Sequence, residues 1–149
     1  MNFFIKLLAT WGGSGYSPFA SGTVGTLAAI PFYLWLARLP TTLYLLTLIA
    51  FFFLACWVSG KAEIIFQERD SGRIVIDEVV GYLVTMTAIP YDWRYIVAGF
   101  FLFRLFDVVK PPPANWFDSK LKNGYGVVLD DVAAGVYAWL CLFTLSRLL

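Results

Sequence analysis

The chain is a series of apolar runs separated by short polar punctuation. Residues 39–60 are 22 positions without a charge, ample for a helix crossing a hydrocarbon core of about 30 Å. That predicts one full span. Before it, residues 27–37 are apolar, with Pro31 near the start of the predicted helix and Arg38-Leu39-Pro40 closing it. After it, residues 61–73 are polar and mixed in sign, which predicts a helical extension to Gln67 and a turn at Asp70-Ser71-Gly72. The next apolar run follows Asp77 to Ile89, and Pro90-Tyr91-Asp92-Trp93-Arg94 reads as a turn. Residues 95–103 are apolar again. Arg104, Asp107 and Lys110 then recur at intervals of three until Pro111-Pro112-Pro113 stops the helix. Residues 114–121 read as amphipathic, Asn123-Gly124-Tyr125-Gly126 as a turn, and Asp130-Asp131 as the opening of a last apolar helix. Residues 1–10, apolar around Lys6, suit an interfacial helix kept on the mature protein better than a cleavable signal. Residues 11–26, dense in Gly and Ser and free of charge, read as a loop. The shorter runs at 27–37, 79–89 and 95–103 can span only if they extend through residues that face protein or water.

Composition turns these runs into a class. The 149 residues are 60% hydrophobic and 14% charged, with a mean hydropathy of +0.73. A soluble domain carries about a quarter charged residues, so the expectation is an all-α, multi-pass membrane bundle of about five to six helices with an interfacial N-terminal helix. Residues 1–149 read as one membrane-embedded domain. A formal charge of +1 and the lack of any Lys/Arg cluster set nucleic-acid binding aside. Cys56 and Cys141 lie in apolar runs and are expected to be buried thiols. Trp35, Trp57, Trp93 and Trp116, near the predicted borders, suit interfacial anchors. The chain has no His, so any catalysis falls to carboxylates, hydroxyls, Lys, Arg or a bound metal.

Charge also orients the bundle. If five apolar segments alternate in direction, Lys6, Lys61, Arg69, Arg73, Arg104, Lys110, Lys120 and Lys122 fall on one side. Only Arg38, Arg94 and Arg147 fall on the other, which predicts a cytoplasmic N-terminus. The acids sort the same way, with Asp92 alone opposite. The loop at 11–26, the Asp77-Glu78 pair, the Arg104 to Lys110 face and the Asp130-Asp131 pair are therefore expected to converge on one surface.

The centre of that surface is Ile74-Val75-Ile76-Asp77-Glu78-Val79-Val80-Gly81, where two carboxylates stand at the mouth of an apolar run. A charge entering hydrocarbon costs several kcal/mol unless compensated, which favours a cation site or chemistry over space-filling. Converging carboxylates repel, and a divalent ion relieves them. All-oxygen ligands favour a hard ion, Mg2+ before Mn2+. Arg104 and Lys110 beside Asp107 suit a phosphate, as do the hydroxyls of the Gly/Ser loop and the helix starts expected near Asp77 and Asp130. Phosphoryl transfer or hydrolysis follows as the reaction class. Plainer roles are open for each part. Asp130 or Asp131 suits an ordinary helix N-cap, and Arg104, Asp107 and Lys110 suit an internal salt bridge with a snorkelling lysine. Residues 17–26 suit a connector or a small-residue entry to a helix, and Glu63, Glu68 and Asp118 a solvated face.

Together these motifs resemble the phosphatidylglycerophosphatase A family. The residues that carry the resemblance are Ser17-Pro18-Phe19-Ala20-Ser21-Gly22-Thr23-Val24-Gly25-Thr26, Ile74 with Val75-Ile76-Asp77-Glu78-Val79-Val80-Gly81-Tyr82, Phe103-Arg104-Leu105-Phe106-Asp107-Val108-Val109-Lys110-Pro111, and Gly124-Tyr125-Gly126-Val127-Val128-Leu129-Asp130-Asp131-Val132-Ala133-Ala134-Gly135. These are four blocks in order over nearly the whole chain. The resemblance implies a Mg2+-dependent phosphatase of the bacterial inner membrane, multi-pass, with its site facing the cytoplasm. Its substrate would be phosphatidylglycerophosphate, cleaved to phosphatidylglycerol and phosphate. Carried onto this chain, it implies Asp77, Glu78, Asp107, Asp130, Asp131 and Asp70 as metal candidates. Asp77, Asp130 and Asp131 become the catalytic candidates, one of them positioning or deprotonating water, with a phospho-aspartate as the other route. Ser21, Thr23, Arg104 and Lys110 would hold the phosphate. Among rivals, histidine-dependent lipid phosphatases are excluded by composition. Cys141 and Arg147 have the spacing of a Cys-based phosphatase, but Leu142, Phe143 and Leu145 stand where a phosphate loop needs small residues. The aspartate pattern of CDP-alcohol phosphatidyltransferases cannot be traced. A small cation carrier would place its ionisable groups near the midplane, whereas these cluster at one end.

Overall fold

A computed structural model of the chain describes residues 2–68, 71–112 and 124–148. Among them the regular structure is helical throughout: α1 (Asn2–Ala9), a single 3-10 turn (Ser14–Tyr16), α2 (Ser21–Leu36), α3 (Thr41–Phe66), α4 (Ile76–Thr85), α5 (Trp93–Val109) and α6 (Gly124–Leu148). The expected all-α bundle is what forms. Asp70, Arg69, Trp116, Asp118 and the amphipathic stretch at 114–121 lie outside the described residues.

Local chemistry sets the boundaries. Pro40 in extended backbone precedes α3, and Gln67 ends it in the left-handed region at φ 54°, its N–H turned back to the carbonyls of Glu63 and Ile64. The predicted extension to Gln67 is therefore present. α5 starts earlier than the bare apolar run, because the Asp92 side chain caps it by accepting from the Arg94 backbone N–H at 2.9 Å. It ends at Lys110 in the left-handed region, φ 52°, just before Pro111. α4 stops at Thr85, short of the expected Ile89, where Ala88 turns the chain at φ 56°.

α4 is the hub. Ile76, Val79, Val80, Tyr82 and Leu83 are wholly buried, covered by α2, α3, α5 and above all α6. The α4–α6 approach is close enough that a Cβ on Gly135 would lie 2.6 Å from the Gly81 carbonyl, and one on Gly81 would strike the Phe103 ring and lie 2.9 Å from the Asp131 carbonyl. Small residues thus let two helix backbones touch. At the far end of α4 and just beyond it, backbone carbonyls are taken by side chains. The Tyr44 hydroxyl donates to Leu83 O at 2.6 Å, and Trp139 Nε1 donates to Thr87 O at 2.8 Å.

α3 and α6, of 26 and 25 residues, are long and apolar enough to cross a membrane. At about 1.5 Å per residue each exceeds the roughly 30 Å of a hydrocarbon core. The exterior is apolar: Trp35, Phe53, Trp57, Trp93, Phe101 and Leu105 are all exposed. The same outward face corrects one expectation, since Cys56 is buried but Cys141 is exposed. An apolar run marks the buried side of a helix only where the exterior is polar, and here many large apolar side chains are exposed.

Two further expectations change. Residues 21–26 belong to α2 and not to a loop, so Pro31 lies deep in the helix rather than near its start. The predicted turn at 124–126 is already helix, so α6 begins before Asp130, which lies past its first turn. The cause is packing: a Cβ on Gly124 would collide with the Cys56 carbonyl and sit 2.9 Å from the Gly60 N. These glycines serve a helix crossing, where sequence alone suggests a turn.

Candidate active site

Four helix ends meet. The first turn of α4 carries Asp77 and Glu78, α6 carries Asp130 and Asp131, the last turns of α5 carry Arg104, Asp107 and Lys110, and the first turn of α2 arrives with Gly22. Spacing on α5 puts Arg104, Asp107 and Lys110 on one face, and Asp77, Asp107, Asp130 and Asp131 are all buried. One oxygen from each of Asp77, Asp130 and Asp131 lies within 4.8 Å of the others. That brings together all three acids expected to be catalytic.

The cations sort around this trio. Arg104 Nη1 donates to Asp107 Oδ2 and lies 3.8 Å from Glu78 Oε1. Lys110 Nζ donates to Asp130 Oδ2 at 2.8 Å and lies 3.9 Å from Asp107 Oδ1. Burial disfavours the Lys110 charge, but Asp130 through its field and hydrogen bond, with Asp131 and Asp107 behind it, raises its pKa above the ordinary value. Asp107 and Glu78 stand outside the trio, engaged by Arg104. Ser21 and Thr23 are less direct: Ser21 Oγ donates to Gly72 O at 2.7 Å, tying α2 to the loop before α4, and Thr23 is half-buried. The α2 residue against the charged groups is Gly22, where a Cβ would lie 2.8 Å from Glu78 Oε1 and 3.1 Å from both terminal nitrogens of Arg104. The motif containing Gly22 is visible in the sequence; its part in the site is not.

The trio is short of partners. Asp77 Oδ1, Glu78 Oε2, Asp130 Oδ1 and Asp131 Oδ2 are buried with no hydrogen-bond partner among the described residues, as is Arg104 Nε. A buried carboxylate oxygen left unpaired is expensive, and the carboxylates of Asp77, Asp130 and Asp131, which reach within 4.8 Å of one another, fit a hard divalent cation, whose ligands are oxygens. The free guanidinium N–H fits an anion beside it. Carboxylates short of a cation beside a guanidinium with a free N–H are the donor set of proteins that work on phosphate esters.

Comparison with known proteins agrees. The family model described as Phosphatidylglycerophosphatase A matches residues 7–146. The chain is 40% identical over 131 residues to a protein named Phosphatidylglycerophosphatase A from Escherichia coli, covering 87% of this chain and 76% of that one. It is 41% identical over 144 residues to a protein of the same name from Haemophilus influenzae, covering 95% and 88%. It is also 40% identical over 151 residues to a Bacteroides thetaiotaomicron protein named "Putative phosphatidylinositol-3-phosphatase", covering 95% and 92%. No solved structure matches. The chain belongs to the phosphatidylglycerophosphatase A family, and is an enzyme of the phosphatase class.

Proposed function

We propose that the protein hydrolyses phosphatidylglycerophosphate to phosphatidylglycerol and phosphate, with Mg2+ as cofactor, at the cytoplasmic face of the bacterial inner membrane. The observation that carries this reading is that Asp77, Asp130 and Asp131, whose oxygens come within 4.8 Å of one another, each keep a buried carboxylate oxygen without a partner, as Glu78 and the Nε of Arg104 do. Asp77, Asp130 and Asp131 would hold the ion, with Glu78 and Asp107 at its edge. When bound, Mg2+ would neutralise the cluster and polarise a phosphoryl oxygen. The side chains do the rest. Arg104 and Lys110 oppose the phosphate charge, and the first turn of α2, with Ser21 and Thr23, closes over it. A water oxygen forms the new bond to phosphorus and gives its proton to a free oxygen of Asp77, Asp130 or Asp131. The ester bond breaks, and the glycerol oxygen takes up a proton. Orientation rests on the excess of Lys and Arg at the end of the bundle that carries the acids, and the membrane setting on the two long apolar helices and the apolar exterior.

The test is phosphate release in detergent from phosphatidylglycerophosphate, with phosphatidylinositol 3-phosphate as a second arm because one relative carries that activity in its name. Release with Mg2+, loss with EDTA, and loss in Asp77→Asn and Asp131→Asn are expected. Undiminished activity in both variants would remove the site assignment, and preference for the inositol lipid would reassign the headgroup.

A further inference from the structure

Gly22 has no conformational reason to be glycine. It lies in the first turn of α2, and it is absent from the glycines with positive φ. In a helix interior glycine costs about 1 kcal/mol relative to alanine, and a first-turn position carries at most that cost. What the missing Cβ leaves is room. A methyl there would meet Glu78 Oε1 at 2.8 Å and Nη1 and Nη2 of Arg104 at 3.1 Å each. All three are the far ends of long side chains, so a Cβ would displace the ion pair and leave the backbone in place. Gly25, one turn on, is a different case: its Cβ would lie 2.6 Å from Cβ of Val75, a short, wholly buried side chain with nowhere to go.

We propose that Gly22 is a positioning residue for phosphate recognition. Its bare Cα sets where the Arg104 guanidinium and the Glu78 carboxylate stand, and any side chain at this position shifts them off the phosphate while the fold is retained. The inference deepens the phosphatase reading and rests on it for the identity of the anion. A displacement of the order of 1 Å at a positioned group is worth up to about a hundredfold in rate.

The experiment compares Gly22→Ala, Gly25→Ala and wild type in detergent. Three readouts are taken: thermal midpoint, steady-state kinetics, and the affinity for inorganic phosphate from titration calorimetry with Mg2+ present. Gly22→Ala is expected to keep or raise the midpoint, to lose about ten- to a hundredfold in kcat/KM, and to bind inorganic phosphate correspondingly more weakly. Gly25→Ala is expected to lower the midpoint. In a Glu78→Asp background, where the nearest atom is withdrawn, Gly22→Ala should cost a smaller factor than it does in wild type. A lowered midpoint for Gly22→Ala, wild-type phosphate affinity in that variant, or an undiminished factor in the Glu78→Asp background each overturns the proposal. The phosphatase reading fails separately, if wild type releases no phosphate from any lipid; phosphate affinity then still decides the role of Gly22.

Discussion

Replacing Asp131 by Asn should cut activity sharply and, in the absence of metal, make the protein more stable. Asp131 offers an oxygen within 4.8 Å of oxygens on both Asp77 and Asp130. Two unit charges at that separation repel by about 3.5 kcal/mol at an effective dielectric constant near 20. With all three ionised, Asp131 would meet up to about 7 kcal/mol of repulsion from the two neighbours together, an upper bound that proton uptake relieves. Lys110, 2.8 Å from Asp130, and relaxation around the cluster offset most of this. The Asn amide can also donate to either neighbour, where the carboxylate has a buried oxygen with no partner. A net gain of about 1–3 kcal/mol is a reasonable remainder, and for a chain of this size it raises the melting midpoint by roughly 2–10 °C. The assay is thermal unfolding in detergent with EDTA and then with Mg2+. Wild type should gain about 2.7 kcal/mol when Mg2+ reaches a hundred times its dissociation constant, and Asp131→Asn should gain little. Activity should fall by about a hundredfold or more. A variant less stable than wild type in EDTA, or one that responds equally to Mg2+, would show that the trio is not a strained cation seat.

Two other outcomes follow from the packing and capping described above. Gly81→Ala should lower the midpoint, because the Cβ meets the Phe103 ring and the Asp131 backbone carbonyl at 2.9 Å and overpacking costs about 1–3 kcal/mol; a neutral result in thermal unfolding would mean that α4 and α6 are free to move apart. Asp92→Ala should lower the midpoint by removing the α5 cap, and the effect should depend on pH: the Arg94 side chain, then its backbone N–H, hold the Asp92 carboxyl below its ordinary pKa, so its contribution is present above about pH 4 and is lost as the pH falls through the lower folded value. If the difference between variant and wild type is as large at low pH as at neutral pH, the cap is not the charged form.

Most of the bundle was legible because helix-forming runs and their stops are local. Pro40, Asp92 and Pro111 mark boundaries by what they do to one peptide unit, and the long span at 39–60 needs only counting. The convergence of the acids was legible too, through alternation of direction and the one-sided distribution of charge. Glycine was where reading failed. Gly22 and Gly124 look like loop and turn residues, since local sequence records that a Cβ is missing but not what occupies the space; here the occupants are the Arg104–Glu78 pair and α3. Cys141 failed for a related reason, because in a chain with an apolar exterior hydrophobicity no longer separates inside from outside.

The early start of α6 also changes why the acids are tolerable at all. A helix opening at Asp130 would turn its free N–H groups and positive end toward the carboxylates, whereas Asp130 and Asp131 instead lie past the first turn, where backbone N–H groups are already spent on the helix itself. α4 does open at Ile76, so Asp77 and Glu78 stand at a helix start, yet each still has an oxygen with no partner. The backbone therefore supplies little of the compensation, Lys110 bonds one oxygen of Asp130 and lies near Asp107, and Arg104 is turned to Asp107 and Glu78. What is left uncompensated is one oxygen on each of Asp77, Glu78, Asp130 and Asp131, and an ion seated among Asp77, Asp130 and Asp131 would meet its ligands already gathered, held by helices that the small residues of α4 and α6 keep in contact.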